Sequence, residues 1–321
     1  MSKILVTRKI PKAGLELLKA AGHTVNVWAG SSAIPRSELL KRVKGAHGIL
    51  SLLTDKIDDA VLQAAGPQLM IVANYAVGYD NLDLAALKKR GVQAANTPGV
   101  LDGAVSEQAI ALMFAVAKRI PEADRFTRAG KYKGWEPELL LGMELSGKAI
   151  GILGLGRIGA GVAKRAQAMG MRVLYYDVKR NEAFEKETGA AYVSIVDLLK
   201  GSDVVSLHVP LLPSTRHLID ARKLRMMKKT AILINTSRGP VIDEKALVAA
   251  LKARRLGGAG LDVYENEPKL APGLAKLPNV VLTPHTASAT FETRDRMARD
   301  AAQAIISVLA GKTPPNLIAL P

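Results

Sequence analysis

The chain contains no cysteine, so disulfides, thiolate metal ligands and cysteine nucleophiles are all excluded from its chemistry. Histidine is scarce as well. The five present (His23, His47, His208, His217 and His285) form no H-x₃-H or HExxH cluster, so no metal is expected. Aromatic residues make up only 4% of the sequence, which leaves little from which to build a base-stacking platform. No apolar run approaches the roughly 18 residues that a membrane span needs, so no membrane partner is expected. The opening "MSKILVTRKI" reads as a first strand rather than a signal sequence, which makes the cytoplasm the expected location.

What the chain does have is positive charge, +16 at pH 7 with a pI near 9.9. The lysines and arginines are scattered along helical stretches in short groups such as "LKKRG" (87–91) and "RDRMAR" (294–299), which read as solvated helix faces. No nucleic acid partner is expected, and a positive surface also steers a small carboxylate toward a cleft. At 321 residues the chain exceeds what one ordinary core serves, and 48% hydrophobic residues rule out disorder. Two domains are therefore expected.

Short β-branched apolar runs alternate with amphipathic stretches, the pattern of βαβ units and a parallel sheet, so the class is α/β. Strands are expected at 3–7, 24–28, 48–52, 69–73 and 92–95, with helices near 11–21, 35–44, 57–65 and 82–90. "NTPGV" (96–100) breaks the pattern before a long apolar helix over 106–120. A second series then begins at "KAIGIL" (148–153) and continues at 172–177, 204–209, 231–235, 258–262 and 279–283. One terminal helix over 290–311 follows, and could return to pack on the first domain, with hinge loops around 96–100 and 284–288. The weakly periodic interval 121–147, which holds Trp135, reads as an extended arm of the sort that meets a partner subunit.

The strongest single motif is "AIGILGLGRIGAGVAKRAQAMGMRVLYYD" (149–177). Gly154, Gly156 and Gly159 follow an apolar strand and open a helix, and a second strand ending in an acid comes after them. Gly154 permits the tight turn, Gly156 admits a pyrophosphate to the backbone, and Gly159 lets helix and strand approach, while Arg157 and Ile158 stand at the exposed helix N-terminus. This is a dinucleotide site. Asp177 is placed to accept hydrogen bonds from the ribose hydroxyls and to repel a 2′-phosphate, so NAD is the expected cofactor. Lys179 and Arg180 keep NADP possible.

Together with that motif, "HVPLLPSTRHLI" (208–219), "ILINTSRGPVIDEKAL" (232–247), "GAGLDVYENEP" (258–268) and "LTPHTAS" (282–288) resemble the D-2-hydroxyacid dehydrogenases over nearly the whole chain. "SLLTDKID" (51–58), "NYAVGYDNLDL" (74–84), "NTPGVL" (96–101) and "GWEPELLLGMEL" (134–145) look most like the glyoxylate and hydroxypyruvate reductase branch. The resemblance implies two doubly wound parallel-sheet domains: a Rossmann NAD-binding domain (100–286) inserted in a flavodoxin-like substrate domain (1–99 plus 287–321). It implies a small 2-keto or 2-hydroxy acid as substrate and a homodimer as the assembly.

It also implies site roles. Arg238 would hold the substrate carboxylate and polarise the carbonyl, since its planar fork matches a carboxylate. His285 would donate the proton, because an imidazole titrates near neutral pH and can be reloaded from solvent. Glu267 would orient it; spacing alone leaves Glu265 as an alternative, and the family match puts the role on Glu267. The backbone of Val77 and Gly78 would supply further donors to the carboxylate. Asp262 would sit near the nicotinamide carboxamide. His208, Pro210 and Thr215 resemble the family's loop over the cofactor, with His208 read as structural rather than catalytic, and Thr236, Ser237 and Ala287 complete the expected cofactor contacts.

The stretch "DGAVSEQAIALMFAVAKRI" (102–120) looks closer to phosphoglycerate dehydrogenases and lactate-type enzymes, so D-lactate or 3-phosphoglycerate stand as alternative substrates. A co-repressor-like scaffold that senses NAD is the alternative of a different class.

Overall fold

The computed structural model describes all 321 residues, which separate into two compact units: Met1–Leu101 with Ser288–Pro321, and Asp102–Ala287. The first unit alternates β1 (Lys3–Val6), α1 (Lys12–Ala20), β2 (Thr24–Val27), α2 (Arg36–Arg42), β3 (Gly48–Ser51), α3 (Asp59–Ala65), β4 (Ile71–Asn74), α4 (Leu84–Lys89) and β5 (Gln93–Ala95). All five strands are parallel, in the order β2-β1-β3-β4-β5, the flavodoxin-type winding. The helices start where short acids can cap them: Asp58 accepts from the Val61 N–H and Asp83 from the Ala86 N–H. Every residue of β3 and β4 is buried, as a strand covered on both faces requires.

The second unit opens with α5 (Asp102–Ala117) and α6 (Ile120–Arg128) and continues through β6 (Ala149–Leu153), α7 (Arg157–Ala168), β7 (Arg172–Tyr176), α8 (Glu182–Thr188) and β8 (Ala191–Tyr192). It then runs α9 (Ile195–Gly201), β9 (Val204–Leu207), α10 (Ala221–Met226), β10 (Ile232–Asn235), α11 (Glu244–Lys252), β11 (Gly258–Leu261) and β12 (Val280–Leu282). The seven strands are parallel in the order β12-β11-β10-β9-β6-β7-β8, so the winding reverses between β6 and β9. Alternation divides the core. Ile150, Ile152, Val204, Ile232 and Ile234 face Leu112, Met113 and Val162, whereas Leu153, Val205, Leu207 and Leu233 face Leu224, Leu247 and Leu251 on the other side. Helix α5 lies close on β11 because that strand has no side chain beneath it: a Cβ on Gly258 would come within 2.6 Å of Val116.

The last helix, α12 (Phe291–Leu309), is capped by Thr290 and buries Met297, Ala301, Ile305 and Val308 within the first unit. It crosses α1 so closely that a Cβ on Gly14 would stand 2.5 Å from the Ala298 carbonyl oxygen.

Three segments differ from the sequence expectation. The helix expected to run to 120 stops at Ala117, and the interval read as an irregular arm begins with α6. The break is at Arg119, whose φ of 54° is left-handed, with Pro121 opening the next helix and Arg119 itself paired with Glu122 at 2.8 Å. From Ala129 to Lys148 the chain has no helix or strand. The edge strand β8 was not expected, since its two residues carry too little pattern to read.

Candidate active site

The glycine motif sits where the sheet of the second unit changes direction. β6 ends at Leu153, and Gly154 turns the chain with φ of +95°. A side chain there would strain the turn and also meet the His208 backbone at 2.8 Å. Gly159 is equally constrained, since its Cβ would fall 2.0 Å from the Gly154 carbonyl oxygen. Gly156 differs, because a Cβ on it would enter open space directly before the N-terminus of α7, where no side chain caps the helix. An anion approaching that backbone meets the free N–H groups of the first turn, which holds Arg157 and Ile158. The residues fit a dinucleotide pyrophosphate.

Asp177, just past β7, accepts a 2.7 Å hydrogen bond from the Leu155 N–H through Oδ2 and so ties the acid to the glycine turn. Beside it a cavity of about 570 Å³ is lined by Leu155, Asp177, Lys179, Arg180, Asn181 and Glu182. Across the switch point, the His208 N–H donates to the Leu153 carbonyl at 2.7 Å, and its ring meets the Ser206 hydroxyl at 2.8 Å. Part of the residue is accessible, yet the ring is packed round by protein, and this burial pushes its pKa down to about 3. His208 is therefore neutral at ordinary pH. Pro210 and Thr215 form a closed local turn in which the Thr215 hydroxyl donates to the Pro210 carbonyl at 2.6 Å. The Thr236 hydroxyl, by contrast, is buried with no partner in the protein.

Arg238 leaves the end of β10 through a turn that Asn235 builds. The Asn235 side chain accepts from the Ser237 N–H and hydroxyl at 3.0 and 2.9 Å and donates to the Arg238 carbonyl at 3.0 Å. The turn presses on the loop after β11, since a Cβ on Gly239 would lie 1.9 Å from Tyr264 backbone atoms. That loop carries Glu267. Its Oε1 accepts from the Tyr264 N–H at 3.1 Å, and its Oε2 meets His285 Nδ1 at 2.9 Å. Burial pushes the Glu267 carboxyl up, but the His285 hydrogen bond and charge, the Tyr264 N–H and the Arg238 charge outweigh it and hold the group below its usual range. Glu267 is therefore ionised, and the histidine it faces is bound through Nδ1, which leaves Nε2 to meet a ligand.

Glu265 is engaged elsewhere, 2.6 Å from His217 and 3.6 Å from Arg216. Of the two glutamates, Glu267 is the one that meets His285.

Behind His285 stands Asp262, fully buried. Oδ1 accepts from the Thr283 hydroxyl at 2.6 Å and the Thr286 N–H at 2.8 Å, and Oδ2 from the Ala287 N–H at 2.8 Å. Its carboxylate braces the loop in which His285 adopts a left-handed φ of 54°. In the first unit, Val77 and Gly78 follow β4 in a loop fixed by two asparagines: Asn96 donates to the Val77 carbonyl at 2.8 Å and Asn74 to the Gly78 carbonyl at 2.9 Å. Asn74, Asn96 and Asn235 were not singled out from the sequence; for Asn74 and Asn235 the signal available was an asparagine closing each of the apolar strands "IVAN" and "ILIN".

No group of three or more His, Cys, Asp or Glu residues is placed to hold a metal ion, and no helix is long and apolar enough to cross a membrane.

The family model described as D-isomer specific 2-hydroxyacid dehydrogenase, NAD binding domain, matches residues 110–287. A glyoxylate reductase of Korarchaeum cryptofilum is 50% identical over 319 residues, covering 98% of this chain and 95% of that protein. The crystal structure of the TT0316 protein from Thermus thermophilus superposes with a TM-score of 0.93 at 45% identity, covering 99% of this chain and all of that one. An NADPH-dependent glyoxylate/hydroxypyruvate reductase from Sinorhizobium meliloti, solved with NADP and malonate, superposes with a TM-score of 0.85 at 31% identity, covering 99% of this chain and 97% of that one. With a matched family model over the dinucleotide domain and full-length relatives at this identity, the chain belongs to the D-isomer-specific 2-hydroxyacid dehydrogenases, enzymes that use a nicotinamide dinucleotide, and within them it is most similar to the glyoxylate reductases.

Proposed function

We propose that the protein is a cytoplasmic, homodimeric reductase of glyoxylate and hydroxypyruvate that works with NADH. The observation that carries the reading is the His285–Glu267 pair, held at 2.9 Å with the charge of Arg238 close enough to act on the same carboxylate. Such a set can bind a 2-oxo acid at its carboxylate and protonate its carbonyl oxygen. Bound along the glycine turn, the dinucleotide supplies the hydride that reduces the keto carbon.

Arg238 binds the substrate carboxylate and draws charge from the carbonyl with its guanidinium fork. His285 delivers the proton from Nε2 to the carbonyl oxygen as charge develops there, while Glu267 holds the ring by its Nδ1. Thr236, with its unpartnered hydroxyl, together with Ser237, Ala287 and the turn of Pro210 and Thr215, borders the dinucleotide. Asp262 acts on His285 from behind, because its carboxylate oxygens are already occupied by loop donors.

The names borne by the relatives support glyoxylate over D-lactate or 3-phosphoglycerate. Exposed Tyr132, Trp135 and Leu141, on the irregular segment after α6, support a dimer, which light scattering checks. The deciding experiment is a panel of 2-keto acids assayed with NADH and NADPH. Glyoxylate with NADH is expected to give the highest kcat/KM. Binding of NADH with no turnover of any keto acid would refute the reading and leave a scaffold.

A further inference from the structure

Two cations, Lys179 and Arg180, follow Asp177 at the point where the ribose of a bound dinucleotide lies, and an arginine there is the usual receiver of a 2′-phosphate. The structure gives Arg180 another task. Its Nε donates to Glu185 at 2.9 Å (Oε1) and 3.2 Å (Oε2), and its Nη2 donates to Oε2 at 2.7 Å. The Glu185 carboxylate is itself pinned, since the buried Tyr175 hydroxyl donates to Oε1 at 2.6 Å. That same hydroxyl accepts from the Asn181 N–H at 2.8 Å and so anchors the loop that carries Arg180. On its other side the guanidinium stands 6.0 Å from the centroid of the Tyr192 ring.

We propose that Glu185 sets the preference for NADH over NADPH by claiming the Nε/Nη2 edge of Arg180 and neutralising its charge, so that the guanidinium is held back from a 2′-phosphate. The inference rests on the reading of this cavity as the cofactor site. Its charge supports it: Asp177, Glu182 and Glu185 stand against Lys179 and Arg180, so a phosphate dianion enters a region with an excess of one negative charge. A 2′-hydroxyl instead finds an acceptor, because Asp177 Oδ1 makes no hydrogen bond within the protein while Oδ2 is held by Leu155. To serve a phosphate, Arg180 would have to leave a bidentate partner and abandon the acid that Tyr175 holds in place. The arginine is thus present in sequence and cancelled in structure.

The test is a fluorescence titration of NADH and NADPH into the wild-type protein, Glu185→Gln, Arg180→Ala and the double variant, read as the ratio of the two dissociation constants. Glutamine keeps an oxygen for the Tyr175 hydroxyl and removes the charge. Glu185→Gln is expected to shift the ratio toward NADPH by about tenfold, equivalent to about 1.4 kcal/mol. The double variant is expected to lose that gain, and Arg180→Ala alone, at a half-exposed side chain, to leave the ratio within about twofold. An unmoved ratio in Glu185→Gln, or weaker NADPH binding in that variant, would overturn the proposal. So would a tenfold loss of NADPH affinity in Arg180→Ala alone, a result that does not depend on the folding of the glutamine variant. If the wild-type protein bound neither coenzyme, the reading of the site would fall along with the proposal; NADH binding with an unmoved ratio would remove the latch alone.

Discussion

Replacing Asp262 is the most direct probe of how the His285–Glu267 pair is held. The residue is fully buried, and its two carboxylate oxygens accept from the Thr283 hydroxyl and from the N–H groups of Thr286 and Ala287. The hydroxyl can rotate to a new partner, but the two N–H groups cannot. Alanine therefore strands two backbone donors, each costing about 1–3 kcal/mol, offset in part by the removal of a buried charge, for a net of about 3 kcal/mol. In a cooperative unit of this size, 1 kcal/mol moves Tm by about 2–4 °C, so Asp262→Ala is expected to melt about 6–12 °C below the wild type by calorimetry. Asparagine keeps the oxygen that serves Thr283 and Thr286 but turns an amide toward the Ala287 N–H, and about half the loss is expected. Because His285 sits between the braced residues in a left-handed conformation, kcat should fall about 10²-fold in the alanine variant at a temperature where it remains folded. A Tm within about 2 °C of wild type and an unchanged kcat would refute the brace.

His285→Ala should lower kcat by about 10²–10⁴-fold in steady-state assays, and Arg238→Ala should lower kcat/KM by about 10²–10³-fold; wild-type rates in either would remove that residue from the mechanism. Glu267→Gln should lower kcat by about 10–100-fold in the same assays, because a neutral amide holds the His285 ring less firmly at Nδ1; an unchanged kcat would take Glu267 out of the positioning role. His208 gives a pH test of stability. Its folded pKa is about 3 against 6.5 unperturbed, so the unfolded chain binds the extra proton: stability is full above about 6.5 and is lost as pH falls toward the folded value. Urea midpoints should fall between pH 6 and 4, with a contribution of about 1.4 kcal/mol per pH unit that His208→Gln abolishes. An equally steep fall in that variant would assign the acid sensitivity to other groups. Gly159→Ala should weaken NADH binding and lower Tm, since the added carbon meets the Gly154 carbonyl oxygen at 2.0 Å; unaltered titration and melting curves would contradict the packing.

The sheets were legible because burial on both faces leaves continuous apolar runs: "AIGIL" and "VVSL" name their strands without help from the turns. Helix α6 was not, because its start depends on Arg119 taking a left-handed conformation stabilised by Glu122, and no composition rule announces that. Among the site residues, those carrying charge or lacking a side chain could be read, since their chemistry is written in their type. The asparagines that support them could not. Asn235 matters because it bonds across a turn of three residues, and Asn74 because a carbonyl four residues on lies within its reach, and both facts belong to the folded backbone. Arg180 was legible as a cation beside the ribose but not as half of an ion pair, since Glu185 reaches it only after the loop at Asn181 has been anchored to Tyr175.

The placement of the last helix carries a consequence for biogenesis. Unit 2 is one uninterrupted stretch, Asp102–Ala287, and can complete its sheet as soon as it has left the ribosome. The first strands to be made must wait, because the surface of α1 around Gly14 is closed only by Ala298 and its neighbours, which are translated after the whole of the second unit. The nascent protein therefore finishes its middle before its beginning, and a stop codon near residue 290 would cripple the first unit while leaving the nucleotide-binding unit intact.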